Sequence, residues 1–419
     1  MNEQSSTPWG ARPTYASARD LPSFQEMSKF VQGAKVLTRV IARDQRQAVR
    51  DIEQEMGRLA DVVDGFYARL GDRNWVFHDL LNPSTIEAIL AETSDPADTE
   101  LRLIELYQDR DLTKFWLTQL RQHEGLGARE RQIERAAEHY HANQFSSCTL
   151  QLIAVMDGFV NDFEPVSRKG LAAREPDEMA AWDSVVGHHQ GLTKVMKTFR
   201  KTIKKRIDDE VFEVHRHGIV HGMVVNFDNV VVATKSWNMI FAVADWATAT
   251  RKAALPAEPE PTWADIRATI ERTAKRRREE KRFVPTTLVA NDPSFAEDVL
   301  VRRAGEFLDA WKHGRWALVA EFMPQMLRKS RGSTGERARA AKDLFSEYEL
   351  TSWEVRQVTR DVPGGAKVQV AAAVNGTAEL MQFRMILEDA GGNIGLPGDD
   401  AATWRVGIWA PRTYFGAAG

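Results

Sequence analysis

Three histidines and an arginine fall within seven positions in the run EVHRHGIVHG, at His215, Arg216, His217 and His221. Three chemistries suit those residue types. His217 and His221 are four apart, so on a helix they share a face and can hold a metal. In a zincin, however, Glu follows the first His, and here Gly218 stands there. Further histidines at His139/His141 and His188/His189 and acids at Asp157, Asp162 and Glu164 are too loosely spaced for a ligand set, and no metal is expected. The second reading pairs Arg216 with His221 as R-x-x-x-x-H, with a kink near Gly218 bringing both tips to one phosphate. The arginine fork would hold a phosphodiester and offset transition-state charge, and the histidine would move the 2′-OH or 5′-oxygen proton. One arginine and one histidine make half of a two-histidine machine, so that site needs a symmetric partner. The third reading is a packed turn, with His217 or His221 satisfying buried carbonyls and Gly218 and Gly222 allowing close helix approach.

Around the motif, the stretch LTKVMKTFRKTIKKRI reads as one basic helix. Lys194, Lys197, Arg200, Lys201, Lys204 and Lys205 recur on it at three and four with no acid between residues 194 and 207. That face can track a phosphate backbone or simply be solvated. Asp157 on an upstream helix can orient a catalytic histidine or pair with Arg216. Trp237, Trp246 and the single cysteine, Cys148, are assigned to the core.

The residues from YHANQFSSCTLQLIAVMDGFVNDF through RHGIVHG to NFDNVVVATKSWNMIFAVADWA resemble the HEPN superfamily of helical ribonucleases and nucleotide-binding domains, in the branch written Arg-His-apolar-His-Gly. The resemblance covers 100 to 120 residues. It implies a four- to five-helix bundle, a homodimer and metal-independent RNA cleavage, with no cofactor. Arg216 and His221 would be the catalytic pair, His217 the polar position after the arginine, and Asp157 the inward acid. A defence or toxin setting is likewise an implication of the family. A second R-x-x-x-x-H occurs in RNWVFH, from Arg73 to His78; it lacks the trailing His-Gly and reads as a packed turn with Trp75 and Phe77 inside.

The elements that must position these residues are mainly helical. Residues 1–22 read as a disordered tail without a signal peptide. Residues 23–127 show apolar positions at three and four (Phe30, Val31, Val36, Ile41, Val49, Ile52, Met56, Leu59, Val63, Phe66) and form an N-terminal helical domain. Ser84 or Thr85 is the expected N-cap of one of its helices, with Glu87 near the capping-box position. Residues 128–250 form the HEPN-like bundle, and 251–293 a Pro/Glu linker and charged helix. From 294 to 415 helices give way to four alternating strands, an α+β domain with a curved antiparallel sheet. Its order of elements resembles the cone fold of nuclear transport factor two and SnoaL-type cyclases, which implies a small-ligand or protein partner. His313 and Asp309 lie near a helix end there. The fold class is therefore mainly α and multi-domain, helical bundles followed by an α+β domain.

At 419 residues with 43% hydrophobic and 27% charged residues, the composition is that of an ordinary globular chain. A net charge of −3 supplies no global attraction to nucleic acid or membrane, so an RNA contact must be local. No apolar run reaches ~20 residues, so no membrane span is expected. The lone cysteine fits a cytoplasmic protein. Two functions from different classes remain open: a metal-independent endoribonuclease or RNA-binding protein, and a non-enzymatic dimerising interaction protein whose last domain binds a small ligand or partner.

Overall fold

The computed structural model describes residues 14–38, 43–121, 123–164, 168–256, 275, 278–279, 282–330, 332–389, 391–396 and 402–415. The chain divides into two compact units, Met1–Ile270 and Glu271–Gly419. It is mainly helical, with an antiparallel sheet confined to the second unit. The charged helix expected over 263–283 lies almost wholly outside the described residues.

In the first unit the helices are α1 (Pro22–Thr38), α2 (Arg43–Leu70), α3 (Pro83–Glu92), α4 (Pro96–Gln108), α5 (Arg110–Leu120), α6 (Glu124–Gly127), α7 (Glu130–His141), α8 (Phe145–Phe163) and α9 (Leu192–Arg200). Then come β1 (Ile207–Glu210), α10 (Arg216–Val220), β2 (Val224–Asn226) and α11 (Val230–Ala254). Short polar side chains set the helix starts. Asp95 and Asn229 cap α4 and α11, and Asn82, rather than Ser84 or Thr85, caps α3, with Pro83 in its first turn. Asn82 wins because its oxygen accepts from both the Ser84 and Thr85 N–H groups.

The expected division at 127/128 has no counterpart in the packing. One apolar core runs from Tyr15 through Phe66, Trp75, Tyr107 and Trp116 to Met156, Phe199 and Trp246. Its centre is α11, which is buried on every side from Val232 to Ala247, Asp245 excepted, and packs on α8, α9 and α4. A helix apolar all round belongs inside a bundle, and that explains its weak amphipathic pattern. Cys148, Trp237 and Trp246 are buried, as the sequence reading places them.

Two departures lie beside the motif. The basic stretch is not one helix: α9 stops at Arg200, and Lys201 takes an extended conformation (φ −54°, ψ 119°). Helical propensity would carry it on, but Ile203 turns inward and is buried. The chain then forms strand β1, which pairs in parallel with β2 in the register Ile207↔Val224, although only helices were expected over 128–250.

Because α11 is buried, its polar residues must find partners inside. Lys235 Nζ donates to the Phe212 carbonyl (2.8 Å) and to Glu213 Oε1 (2.7 Å), and lies 3.4 Å from Glu100 Oε1. Glu100 in turn accepts from Arg73 and from Trp75 Nε1 (2.7 Å). Burial alone would raise the Glu100 carboxyl, but Arg73, Lys235 and the indole N–H outweigh it and hold it below the usual range. Further along α11, Asn238 exchanges two bonds with the Val76 backbone and meets the Tyr107 hydroxyl, which also bonds His78 Nε2 (2.6 Å).

The second unit contains β3 (Thr286–Val289), α12 (Val299–Lys312), α13 (Trp316–Glu321), α14 (Gln325–Ser330), α15 (Thr334–Phe345), β4 (Leu350–Val362), β5 (Gly365–Val374), β6 (Thr377–Glu388) and β7 (Thr403–Val406). The strands form an antiparallel meander in the order β3-β4-β5-β6-β7. Four of them match the alternating runs in the sequence; β3 comes from the Pro-flanked stretch TTLV, whose brevity hides its period. Val368, Val370, Met381, Phe383 and Met385 cover Phe307, Trp311 and Phe345 of the helical layer. Asp309 and His313 pair with each other (3.2 Å) on exposed surface, with Arg315 also on Asp309.

Two outcomes follow from the buried polar groups. Glu100→Gln leaves Arg73 and Lys235 short of a counter-charge, and urea unfolding is expected to show a loss of about 3–5 kcal/mol. His188 stacks on Tyr67, donates to the Ala16 carbonyl and accepts the Gln190 N–H, and burial together with His189 lowers its pKa to about 4. The unfolded chain takes up that proton near ~6.5, so this contribution is complete above ~6.5 and is lost as pH falls toward about 4. Asp245, raised by burial and by Asp79, acts with the opposite sign, so a difference measurement isolates the histidine. The stability gap between wild type and His188→Gln should narrow by about 2–3 kcal/mol between those pH values.

Candidate functional site

The motif forms a helix of five residues, Arg216–Val220, with His215 before it and His221 after it. Its position is set by small contacts that tolerate no extra atom. A Cβ on Gly218 would lie 2.5 Å from Val224 Cγ2 and 3.0 Å from Ile203 Cγ1, so the glycine lets α10 seat against β2 and the 201–206 loop. Gly222 has φ +67°, the left-handed conformation that ends the helix and turns the chain into β2.

His217 and His221 meet one turn apart, their ring centroids 4.7 Å from each other. His221 is exposed, and His217 is half-buried. His217 Nδ1 accepts the Ile203 N–H (3.4 Å), which places the neutral ring's own proton on Nε2. His215 is half-buried, with Nδ1 sealed and unpartnered among the described residues. Burial lowers its pKa, against a raising hydrogen bond to the Thr198 backbone. Arg216 is half-buried too; its Nε is buried without a hydrogen-bond partner, and no ion pair to it occurs among the described residues. Arg216 and His221 stand at opposite ends of α10, roughly 140° apart around its axis, and no hydrogen bond or cation–ring contact joins them among the described residues. The side chains that converge are the two histidines.

The loop that replaces the expected basic helix runs along this site. Lys201, Lys204 and Lys205 are exposed on it, and none has an ion pair among the described residues. Lys194 and Arg200 remain on α9 but are neutralised, by Asp72 and by Glu175 (2.5 Å) respectively, while Lys197 is exposed. Asp157 makes no hydrogen bond or ion pair to the histidines among the described residues: its carboxylate accepts the Ala172 N–H (3.1 Å) and packs against Gly170. Among the described residues no group of three or more His, Cys, Asp or Glu could hold a metal ion.

Sequence reasoning missed the residues beneath the motif. Glu213 precedes His215 by two positions, and its carbonyl accepts the His215 N–H (2.9 Å). Its carboxylate takes Lys235 on one oxygen and Asn74 Nδ2 (2.9 Å) on the other. Asn74 adopts φ +59° in the RNWVFH turn, where Trp75, Phe77 and His78 are buried, as expected of a packed turn. The first R-x-x-x-x-H segment therefore touches, through Asn74 and Glu213, the loop that leads into the second. The one available signal was a lysine within an otherwise apolar run, VVVATKSW, which a buried helix can hold only against carboxylates.

The chain matches no family model, and neither the curated proteins nor the solved structures compared with it include a match. Gly218→Ala tests the seating of α10: the added methyl has to displace Val224 and Ile203, and thermal unfolding should register a loss of about 1–3 kcal/mol.

Proposed function

We propose that the protein is an HEPN-like, metal-independent endoribonuclease acting as a homodimer, with the His215–His221 segment as its phosphodiester site. The observation that carries this reading is Arg216, a half-buried residue whose Nε is buried without a hydrogen-bond partner and which has no carboxylate partner among the described residues. It belongs to the same short helix as His217, whose ring meets the exposed His221 at the helix end, and the neighbouring loop carries lysines that also lack ion pairs there. The buried Nε–H lacks an acceptor among the described residues, and a phosphate oxygen would supply one. His221 takes the proton of a ribose 2′-OH, the 2′-oxygen attacks the phosphorus, and the bond to the 5′-oxygen breaks as that oxygen takes a proton from the protonated, symmetry-related His221 of the homodimer. Arg216 offsets the charge that grows on the phosphoryl oxygens. Lys201, Lys204, Lys205 and Lys197 follow the backbone without reading sequence. A cytoplasmic defence or toxin role is the setting that the family resemblance suggests.

A second reading, a non-catalytic interaction protein, draws on the apolar side chains flanking the motif: Phe212, Val220 and Val225 are 49%, 43% and 51% exposed. They suit an interface between copies as well as a foreign partner, and the second unit would then bind a small ligand or protein.

Purified protein in chelator should cut RNA and leave 2′,3′-cyclic phosphate ends. His221→Ala should lower the rate ~10²–10⁴-fold. Because His221 is exposed, its loss should change stability by less than about 0.5 kcal/mol. Arg216→Ala should reduce cleavage more than RNA affinity. Binding without cleavage by a well-folded dimer would favour the interaction protein.

A further inference from the structure

We propose that Lys235 is a positioning residue for the His215–His221 site, holding the chain that leads into the motif through the Phe212 carbonyl and the Glu213 carboxylate. The proposal rests on the phosphodiester reading above. Lys235 is 4% exposed and belongs to the helix at the centre of the bundle, so its ammonium is a fixed point rather than a flexible surface charge. From that point one hydrogen bond fixes the backbone at Phe212 (2.8 Å) and another fixes Glu213 (2.7 Å). Glu213 is held from the other side by Asn74 Nδ2 (2.9 Å), and Asn74 Oδ1 accepts from Thr198 Oγ1 (3.4 Å). The next links are main-chain: His215 N–H to the Glu213 carbonyl (2.9 Å) and Arg216 N–H to the Val214 carbonyl (3.1 Å).

Glu100 completes the arrangement from below, with Arg73 as its second cation. Two cations and two carboxylates thus close on each other, and Arg216 stands outside the cluster with no ion pair among the described residues. Among the described residues no other charged group ties the 212–214 segment to α11. Without Lys235, the loop between β1 and α10 would keep its apolar anchor at Val214 but lose the bonds that set its height over the core.

Lys235→Met alone leaves Glu213 and Glu100 with a surplus negative charge and is expected to destabilise the fold. Lys235→Met combined with Glu213→Gln removes one charge of each sign, keeps an acceptor for Asn74 and leaves the Arg73–Glu100 pair intact. The double variant should therefore recover most of the lost thermal stability. Its kcat for RNA cleavage should nevertheless stay ~10²-fold down, with KM changed less than about threefold, because a displacement near 1 Å costs that much in alignment. Cleavage that returns together with stability would overturn the positioning role. If the wild-type protein cuts no RNA, the imidazole NMR resonances of His215 and His217 decide instead. Displacement of both in the double variant, relative to wild type, supports the role, and resonances left in place overturn it whatever the reaction.

Discussion

The helical unit is organised around an ammonium group almost wholly withdrawn from water. Lys235 lies on α11, which is buried on nearly every side, and a charge in that position is tolerable only when carboxylates and carbonyls enclose it. Glu100 arrives from α4, Glu213 and the Phe212 carbonyl from the loop before α10, and Arg73 with Trp75 from the turn after α2. Segments far apart in the chain must therefore meet at one place. Apolar packing alone could slide by a fraction of an ångström at little cost; four charges and a carbonyl cannot.

This constraint relates the two R-x-x-x-x-H segments. In the first, Arg73 is engaged with Glu100, and His78 is enclosed by Tyr107, Trp116 and Phe241 with no exposure at all. Its Asn74 reaches the loop that begins the second. In the second, the arginine lacks an acid among the described residues, and the last histidine is exposed. The same pattern thus serves as scaffold in one place and presents ionisable groups to solvent in the other. What separates them is burial, which is set by flanking residues: RNWVFH carries two aromatics into the core, whereas RHGIVH carries glycine and Ile219.

The second unit makes different use of its polar residues. Its sheet turns an apolar face to the helices. On the other face Gln369 bonds Gln382 (3.2 Å) and Arg384 pairs with Asp361 (2.9 Å). Glu388, buried at the end of β6, takes Arg405 (3.0 Å) and the Gln325 N–H (2.8 Å). The ionic pairs match charge for charge, while Arg405 Nε is buried beside Glu388 without a hydrogen-bond partner among the described residues. The sheet is the part of the unit most legible from sequence, since period-two alternation maps directly onto two faces.

The residue order by itself determined the class of the fold, the long helices, the β4–β7 meander, the burial of Trp75, Phe77, Cys148, Trp237 and Trp246, and the clustering of His215, Arg216, His217 and His221. Those properties rest on local period and composition, which a sequence carries explicitly. It could not show that residues 23–127 and 128–250 share one core, because a helix stripe does not say which stripe it meets. Nor could it stop the basic helix at Arg200, where the burial of Ile203 against Gly218 overrides good helix propensity. Only the tertiary structure decided that His217, rather than Arg216, lies against His221, that Asp157 serves the Ala172 backbone, and that Lys194 and Arg200 are neutralised while the 201–205 lysines have no ion pair among the described residues. Each of those outcomes depends on a partner more than ten residues away or on the end of a short helix, and charge is quenched or left free by distance in space.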